Sequence, residues 1–175
     1  MLETQRLRLR PWCEDDLDAY VALHADPHVA YWLGGRLSPE EAQASLRRNA
    51  ERFAEQGWGM FALERKADGA VIGLAGLQPI APEIPCGPGV EASWRLAPAF
   101  WRHGYCTEGM RAVLDDAKAR GEREIVSFTA VSNTRSQAVM TRLGFERDSA
   151  SDFEHPNLPE GHSLRPHAVY RRKLA

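Results

Sequence analysis

The sequence predicts a mixed α/β fold, with an antiparallel first half followed by a strand, helix, strand, helix second half. Three observations predict it. Short runs of alternating apolar residues recur along the 175 residues, and Lys66-Ala67-Asp68-Gly69 has the turn chemistry to join two of them as a hairpin. After Val90, amphipathic helical segments separate the strands, which argues for parallel pairing there. With 43% apolar and 26% charged residues, the chain reads as one globular domain, residues 1–175, able to bury its own core.

Leu7 and Leu9 alternate with Arg6, Arg8 and Arg10 until Pro11 ends this first strand. Glu14, Asp15 and Asp16 form the acidic first turn of a helix whose face carries Leu17, Tyr20, Val21 and Leu23, with Asp26 and Pro27 as its stop. Ser38, Pro39, Glu40 and Glu41 open a second helix carrying Ala42, Leu46, Ala50 and Phe53, and Gly57 closes it. The hairpin pairs Trp58–Leu63 with Ala70–Leu77, and Pro79, Pro82, Pro85 and Pro88 keep the next segment a loop. Val90, Ala92, Trp94 and Leu96 form a half-buried strand, followed by a helix through Met110, Val113, Leu114 and Ala117 to Gly121. Ile125, Val126 and Phe128 make a buried strand, Thr134–Leu143 a short helix stopped at Gly144, Phe145 begins another extended stretch, and Val169 and Tyr170 belong to a last strand.

Composition narrows the function. Twenty-two Lys and Arg against 24 Asp and Glu give a net charge of -2, which removes the global footprint of a nucleic-acid binder. The three cysteines, Cys13, Cys86 and Cys106, lack any C-x-x-C spacing, so the expected setting is a reducing one, with neither disulfide framework nor zinc site. The opening residues lack the apolar core of a signal peptide, and no apolar run reaches the roughly 20 residues of a membrane span. A soluble cytoplasmic protein is expected.

Two segments have the chemistry of a site. Trp101-Arg102-His103-Gly104-Tyr105-Cys106-Thr107 lies between a strand end and a helix start, where free N–H groups and the helix dipole attract an anion and Gly104 permits close approach. Arg102 and His103 add charge; an ordinary strand-to-helix turn explains the same residues. Ser132-Asn133-Thr134-Arg135-Ser136 follows the next strand, with Asn133 or Ser132 as a cap and Ser136 in the first turn. Both loops follow consecutive parallel strands, the edge of an α/β sheet at which ligands bind.

These segments resemble the GNAT superfamily of acyl-CoA N-acyltransferases, specifically its RimJ/RimL type. Thr4–Trp12 is similar to that type's opening strand, Val71-Ile72-Gly73-Leu74-Ala75-Gly76-Leu77 to its third, and Glu91–Leu96 to its fourth. Phe100–Glu108 resembles the pyrophosphate loop, and Asn133–Phe145, with Leu143-Gly144-Phe145, the last cofactor-side helix and its turn. Where the superfamily's loop pattern has Gln or Arg, two residues, Gly, one residue, Gly or Ala, this sequence holds Trp101, Gly104 and Cys106; it departs at the first position, where Trp is familiar in this branch, and at the last, where Cys is a small replacement, and Gly109 stands where alanine is usual, at a cost of about 1 kcal/mol in helix propensity.

The resemblance implies a central mixed, mostly antiparallel sheet flanked by helices, whose fourth and fifth strands are parallel and splay apart. It implies acetyl-CoA as cosubstrate and no metal. The pantetheine arm would pair with backbone near Trp94 and Leu96, the loop Trp101–Thr107 would hold the pyrophosphate, and Asn133 and Ser136 would lie on the cofactor side. Direct attack of an amine on the thioester needs a proton donor for the thiolate and an acceptor for the amine's proton. Ser136 is the candidate donor, with a helix cap as its other role; Glu91 is the candidate base, with a strand salt bridge to Arg95 as its other role. Cys106 reads as a packing residue rather than a covalent carrier. The substrate entrance is expected from the segments His28–Trp32 and Phe153–His167, with Tyr31, Trp32, Glu91 and Phe153 meeting the acceptor, a protein N-terminus or a small-molecule amine. Amine basicity favours an α-amine, since about a quarter of such groups but only about 0.1% of lysines are neutral near pH 7.4. The competing function is a catalytically silent acyl-CoA-binding sensor, and the sheet's exposed edges leave a homodimer open.

Overall fold

The computed structural model describes Met1–Leu174. These residues form two compact units, Met1–Leu77 with Ser93–Val113, and Gln78–Ala92 with the chain from Leu114 onward.

In the first unit β1 (Leu2–Glu3), β2 (Leu7–Arg10), β3 (Met60–Arg65) and β4 (Val71–Pro79, as far as Leu77) pair antiparallel in that order. Leu7 and Leu9 are fully buried, so the arginine alternation does mark a half-buried strand. The hairpin's first strand begins at Met60 rather than Trp58, because Gly57 turns the chain in a left-handed conformation, φ 74°, before the ladder starts. Gly76 crosses so close to β3 that a Cβ there would lie 2.1 Å from the Gly59 carbonyl oxygen. Above this sheet a short 3₁₀ turn, Glu14–Asp16, leads into α1 (Leu17–Ala25). Asp26 and Pro27 do more than stop α1: the Asp26 carboxylate accepts from the N–H groups of His28 and Val29, and Pro27 takes the first position of α2 (Pro27–Tyr31). α3 (Pro39–Gln56) starts with the expected capping box, Ser38 and Glu41 exchanging hydrogen bonds. Its Ala42 and Leu46 pack with Trp12, Tyr20, Leu23 and Leu74 into one apolar cluster.

β5 (Val90–Leu96) and α4 (Tyr105–Ala119) each divide between the units. In the second unit the start of β5 runs parallel to β6 (Glu124–Ala130), and β9 (Pro166–Lys173) lies antiparallel on the far side of β6. α5 (Thr134–Arg142) connects β6 to β7 (Glu146–Arg147), and β7 and β8 (Phe153–Glu154) both pair with β9. The fold is the expected mixed α/β one, with one parallel pair among antiparallel strands. β7 falls in the extended stretch expected from Phe145, whereas β1 and β8 were not foreseen, since two residues carry no period.

Candidate functional site

In the first unit, the turn before α4 has the backbone geometry that an anion seat needs. Arg102 and Gly104 both take left-handed conformations, φ 64° and 80°, which swings the chain from Trp101 into the helix at Tyr105. The first N–H groups of a helix have no partner within it, so the start of α4 presents donors and the positive end of its dipole. A first-turn carboxylate, Glu108, would compete with an anion there, but it is turned away and neutralised. Its oxygens accept from Thr4 Oγ1 at 2.6 Å, from the Arg6 backbone N–H at 2.8 Å and from Arg6 Nε at 2.7 Å. Burial works against its ionised form, yet these donors and the Arg6 charge hold its carboxyl below the usual range. Arg6 also donates to the His103 carbonyl at 3.0 Å and lies 4.4 Å over the Tyr105 ring, so one side chain ties the turn to the edge of the sheet.

The remaining first-unit candidates surround this turn. Trp101 is half-buried and donates its indole N–H to the Leu96 carbonyl at 2.7 Å, which bends the chain after β5; His103 Nδ1 donates to the Trp101 carbonyl at 2.8 Å. Trp94 is half-buried on β5 and Leu96 buried. Cys106 and Thr107 are half-buried in the first turn of α4, and loss of solvent around the Cys106 sulfur pushes its thiol far above the ordinary value. A Cβ on Gly109 would come within 3.2 Å of Leu63 Cδ2, so glycine lets α4 lie close on β3. Tyr31 is exposed at the end of α2, stacked edge-on with half-buried Trp32.

Arg95 of β5 is held from below by a buried histidine. His24 is 1% exposed; its Nδ1 donates to the Tyr20 carbonyl at 2.8 Å, which leaves Nε2 to accept from Arg95 Nη1 at 3.1 Å. Burial is the main cause that lowers its pKa to about 4, with the Arg95 charge adding to it against the Tyr20 bond.

In the second unit, alternation along β6 sorts the candidates onto two faces. Ile125, Ser127 and Thr129, opposite Arg172, Tyr170 and Ala168, form the face that α5 covers. The contacts that place α5 there run from Tyr170 Oη to Gln137 Oε1, from Arg172 Nη1 to the Leu143 carbonyl and from Asn133 Nδ2 to Thr129 Oγ1. Asn133 Oδ1 accepts from the Ser136 N–H at 3.2 Å, so the cap is Asn133 and the Ser136 hydroxyl is not what starts the helix. Val126, Phe128 and Ala130, opposite Arg171, Val169 and His167, form the other face. Glu91 pairs with Val126 and shares that face, its carboxylate accepting from Gln78 Nε2 at 3.0 Å. That is the whole of the parallel register; at the next level Ser127 Oγ bonds the Ala92 carbonyl at 2.9 Å. Phe153 of β8 lies opposite His167 on β9 and stacks on it at 5.4 Å, with Phe128 edge-on at 5.4 Å and His155 4.8 Å from His167.

A family profile described as the Acetyltransferase (GNAT) domain matches residues 6–146. The chain belongs to this family. The GNAT chain is 25% identical over 151 residues to an uncharacterized N-acetyltransferase, YoaA, of Bacillus subtilis (strain 168), covering 85% of this chain and 84% of that one. Its fold is similar to a GNAT-family acetyltransferase from Bacillus anthracis, with a TM-score of 0.81 and 20% identity over 99% of this chain and 98% of the other. It is also similar to an acetyl transferase from Salmonella typhimurium that modifies the N-terminal serine of a 50S ribosomal subunit protein, with a TM-score of 0.78 and 20% identity over 97% and 96% of the two chains. Among the described residues of this GNAT domain, no three His, Cys, Asp or Glu gather as a metal site and no helix is long and apolar enough to cross a membrane.

Sequence reasoning missed Arg6, Gln78, His24 and Phe128. Their partners are remote in the chain, 102 residues apart for Arg6 and Glu108 and 71 for His24 and Arg95, and no local spacing announces such pairs.

Proposed function

We propose that this GNAT protein is an acetyl-CoA-dependent N-acetyltransferase of the RimJ/RimL type, working in the cytoplasm as one domain over residues 1–175. Its acceptor is a primary amine, either the α-amine of a protein or peptide N-terminus or a small-molecule amine, which attacks directly. The likeness to the Salmonella enzyme supports the RimJ/RimL assignment. The observation that carries the cosubstrate is the turn before α4, where Arg6 and Thr4 withdraw the Glu108 carboxylate and leave the helix N-terminus free for phosphate.

When bound, acetyl-CoA supplies an acetyl group activated as a thioester. Backbone N–H groups of Trp101–Thr107 hold the pyrophosphate, with Arg102 adding charge and His103 a ring nitrogen at its exposed rim. Backbone at Trp94 and Leu96 meets the pantetheine amides; the Leu96 carbonyl already accepts from Trp101, and its second lone pair remains for that use. Asn133 fixes the first turn of α5, so the Ser136 hydroxyl can give its proton to the thiolate and recover one from solvent. Glu91, oriented by the Gln78 amide, takes the proton that nitrogen sheds once it is bonded to the acetyl carbon. Tyr31, Trp32 and Phe153 contact the acceptor.

The first test is thermal unfolding with acetyl-CoA, free CoA or NADH. At about 100-fold over Kd, binding adds roughly 2.7 kcal/mol, or about 5 to 11 °C in Tm for a chain of this length. A rise with both CoA species and none with NADH is expected. Thiol release with a serine-headed peptide amide then separates an enzyme from a silent CoA-binding domain, and Ser136→Ala and Glu91→Gln should each slow it about 10²-fold or more. No shift with either CoA species ends the proposal.

A further inference from the structure

In the second unit, the chain between β8 and β9, residues 155–165, is folded by hydrogen bonds of its own rather than by a helix or a sheet. The ladder from β8 ends where the His155 N–H donates to the Arg165 carbonyl at 2.8 Å. Three turns follow. Leu158 N–H donates to the His155 carbonyl at 3.2 Å, His162 N–H to the Pro159 carbonyl at 3.1 Å and Arg165 N–H to the His162 carbonyl at 2.9 Å. Leu164 is the one buried residue of this stretch, 2% exposed.

Two of the three turns begin with histidine, and both use the ring in the same way. At the first position of a turn Asp and Asn are favoured, because a side-chain oxygen accepts from the N–H two residues on. Here an imidazole nitrogen takes the place of that oxygen. His155 Nδ1 accepts from the Asn157 N–H at 3.3 Å, and His162 Nδ1 accepts from the Leu164 N–H at 3.2 Å. A backbone N–H can only donate, so each Nδ1 carries the lone pair and each Nε2 the proton. The charged ring has a proton on both nitrogens and cannot make this bond. His167 is set the other way: its Nδ1 donates to the Arg165 carbonyl at 3.0 Å, a bond that survives protonation.

We propose that residues 155–165 form a pH-operated flap, ordered by two histidine-headed turns while His155 and His162 are neutral and loosened when both take up protons. The proposal stands on the fold and needs no catalysis. A proton from solvent bonds to the Nδ1 lone pair in each turn, the new N–H meets the backbone N–H that it had accepted from, and the ring swings away. The N–H groups of Asn157 and Leu164 are then left to water. Phe153–His167 is the segment expected at the acceptor entrance, so acid would loosen that entrance while β9 keeps its ladder to β6.

The charged groups around the rings set the direction and the range. His155 is faced by Glu83 of the loop after β4 and by His167 of β9, whose ring centre lies 4.8 Å away. Glu83 also accepts from Asn157 Nδ2 at 3.5 Å. His167 in turn is faced by Glu154 of β8, to which Arg165 is drawn at 3.3 Å. His162 shares its loop with two charged residues, Glu160 and Arg165. Burial first, and then the His167 charge, lower the His155 pKa against the opposing effect of Glu83. The turn at His155 is therefore intact above about pH 6.5, where the ring is neutral in any state of the chain, and is lost as pH falls through the lowered value.

The test uses the whole protein without ligand. A ¹⁵N imidazole NMR titration from pH 8 to 4.5 should show His155 and His162 as Nε2–H tautomers and His167 as the Nδ1–H tautomer at the alkaline end. An Nδ1–H tautomer at His155 or His162 overturns the proposal. Backbone ¹⁵N order parameters over residues 156–164 should stand near about 0.85 at pH 8 and drop below about 0.6 in step with the charging of the two rings. His155→Asn combined with His162→Asn gives each turn an oxygen that accepts from the same N–H and does not titrate, so this chain should keep the high values to pH 4.5. A native loop that stays ordered after both rings are charged also overturns the proposal. So does a double variant that loosens at the same pH as the native chain, an outcome that would assign the change to Glu83 and Glu154. The native titration decides without any variant should the double substitution fail to fold.

Discussion

Acidification should weaken the fold through His24 by a calculable amount. The ring is 1% exposed, sits 4.3 Å from the Tyr20 ring, and has both nitrogens engaged, so the folded protein resists its protonation. Its pKa of about 4 in the fold lies below the 6.5 of an unfolded histidine. Above 6.5 neither state is charged and nothing is lost; between 6.5 and about 4 the unfolded chain binds the extra proton and stability falls; below about 4 the loss is complete. From pH 7 to 4.5 this amounts to about 2.4 kcal/mol, or roughly 5 to 10 °C in Tm. Carboxylates add their own acid losses, so the readout is a difference: urea unfolding across this range for the native chain and for His24→Gln, which offers an amide N–H to Tyr20 and an oxygen to Arg95 but does not titrate. The variant should be less stable at pH 7, through lost ring stacking, and the gap should close by about 2 kcal/mol at pH 4.5. Parallel curves would refute the assignment of a buried neutral His24.

Three further outcomes follow from the first unit. Arg6→Ala releases the Glu108 carboxylate beside the helix N-terminus and should raise KM for acetyl-CoA about 5 to 30-fold, with Glu108→Gln in the same chain recovering part of it; an unchanged KM removes the anion seat. Cys106→Ser should keep kcat within about 3-fold, and iodoacetamide should not inactivate the enzyme at pH 7, because its thiol is held protonated; rapid inactivation restores a covalent role. Gly76→Ala should cost about 3 kcal/mol or more in thermal or urea unfolding, since its Cβ would stand 2.1 Å from the Gly59 carbonyl; a smaller loss means that β3 and β4 separate more easily than their register implies.

What the sequence made legible was whatever has a local period or a local cap. Leu7 and Leu9 alternate with arginines because one face of β2 is buried, and Ser38 with Glu41 closes a capping box four residues long. Asp26-Pro27 misled, because an aspartate and a proline end one helix with the same chemistry that begins the next. The turn at Trp101–Thr107 was legible as a strand-to-helix turn with a glycine, but the contact that turns Glu108 away from the helix start was not, since its partner Arg6 lies 102 positions away. His155 and His167 read as part of an acceptor segment; only the register of β8 and β9 brings them into one stack.

The period of a strand decides which side chains can meet. Side chains at successive positions of β6 point to opposite faces, so Ser127 and Thr129 lie on the face that α5 covers, and Val126, Phe128 and Ala130 on the face that Glu91 shares. A one-residue slip of β9 against β6 would exchange the faces along β9 and take Tyr170 and Arg172 away from Gln137 and Leu143, so the antiparallel ladder from Glu124↔Lys173 to Ala130↔His167 also fixes where α5 sits.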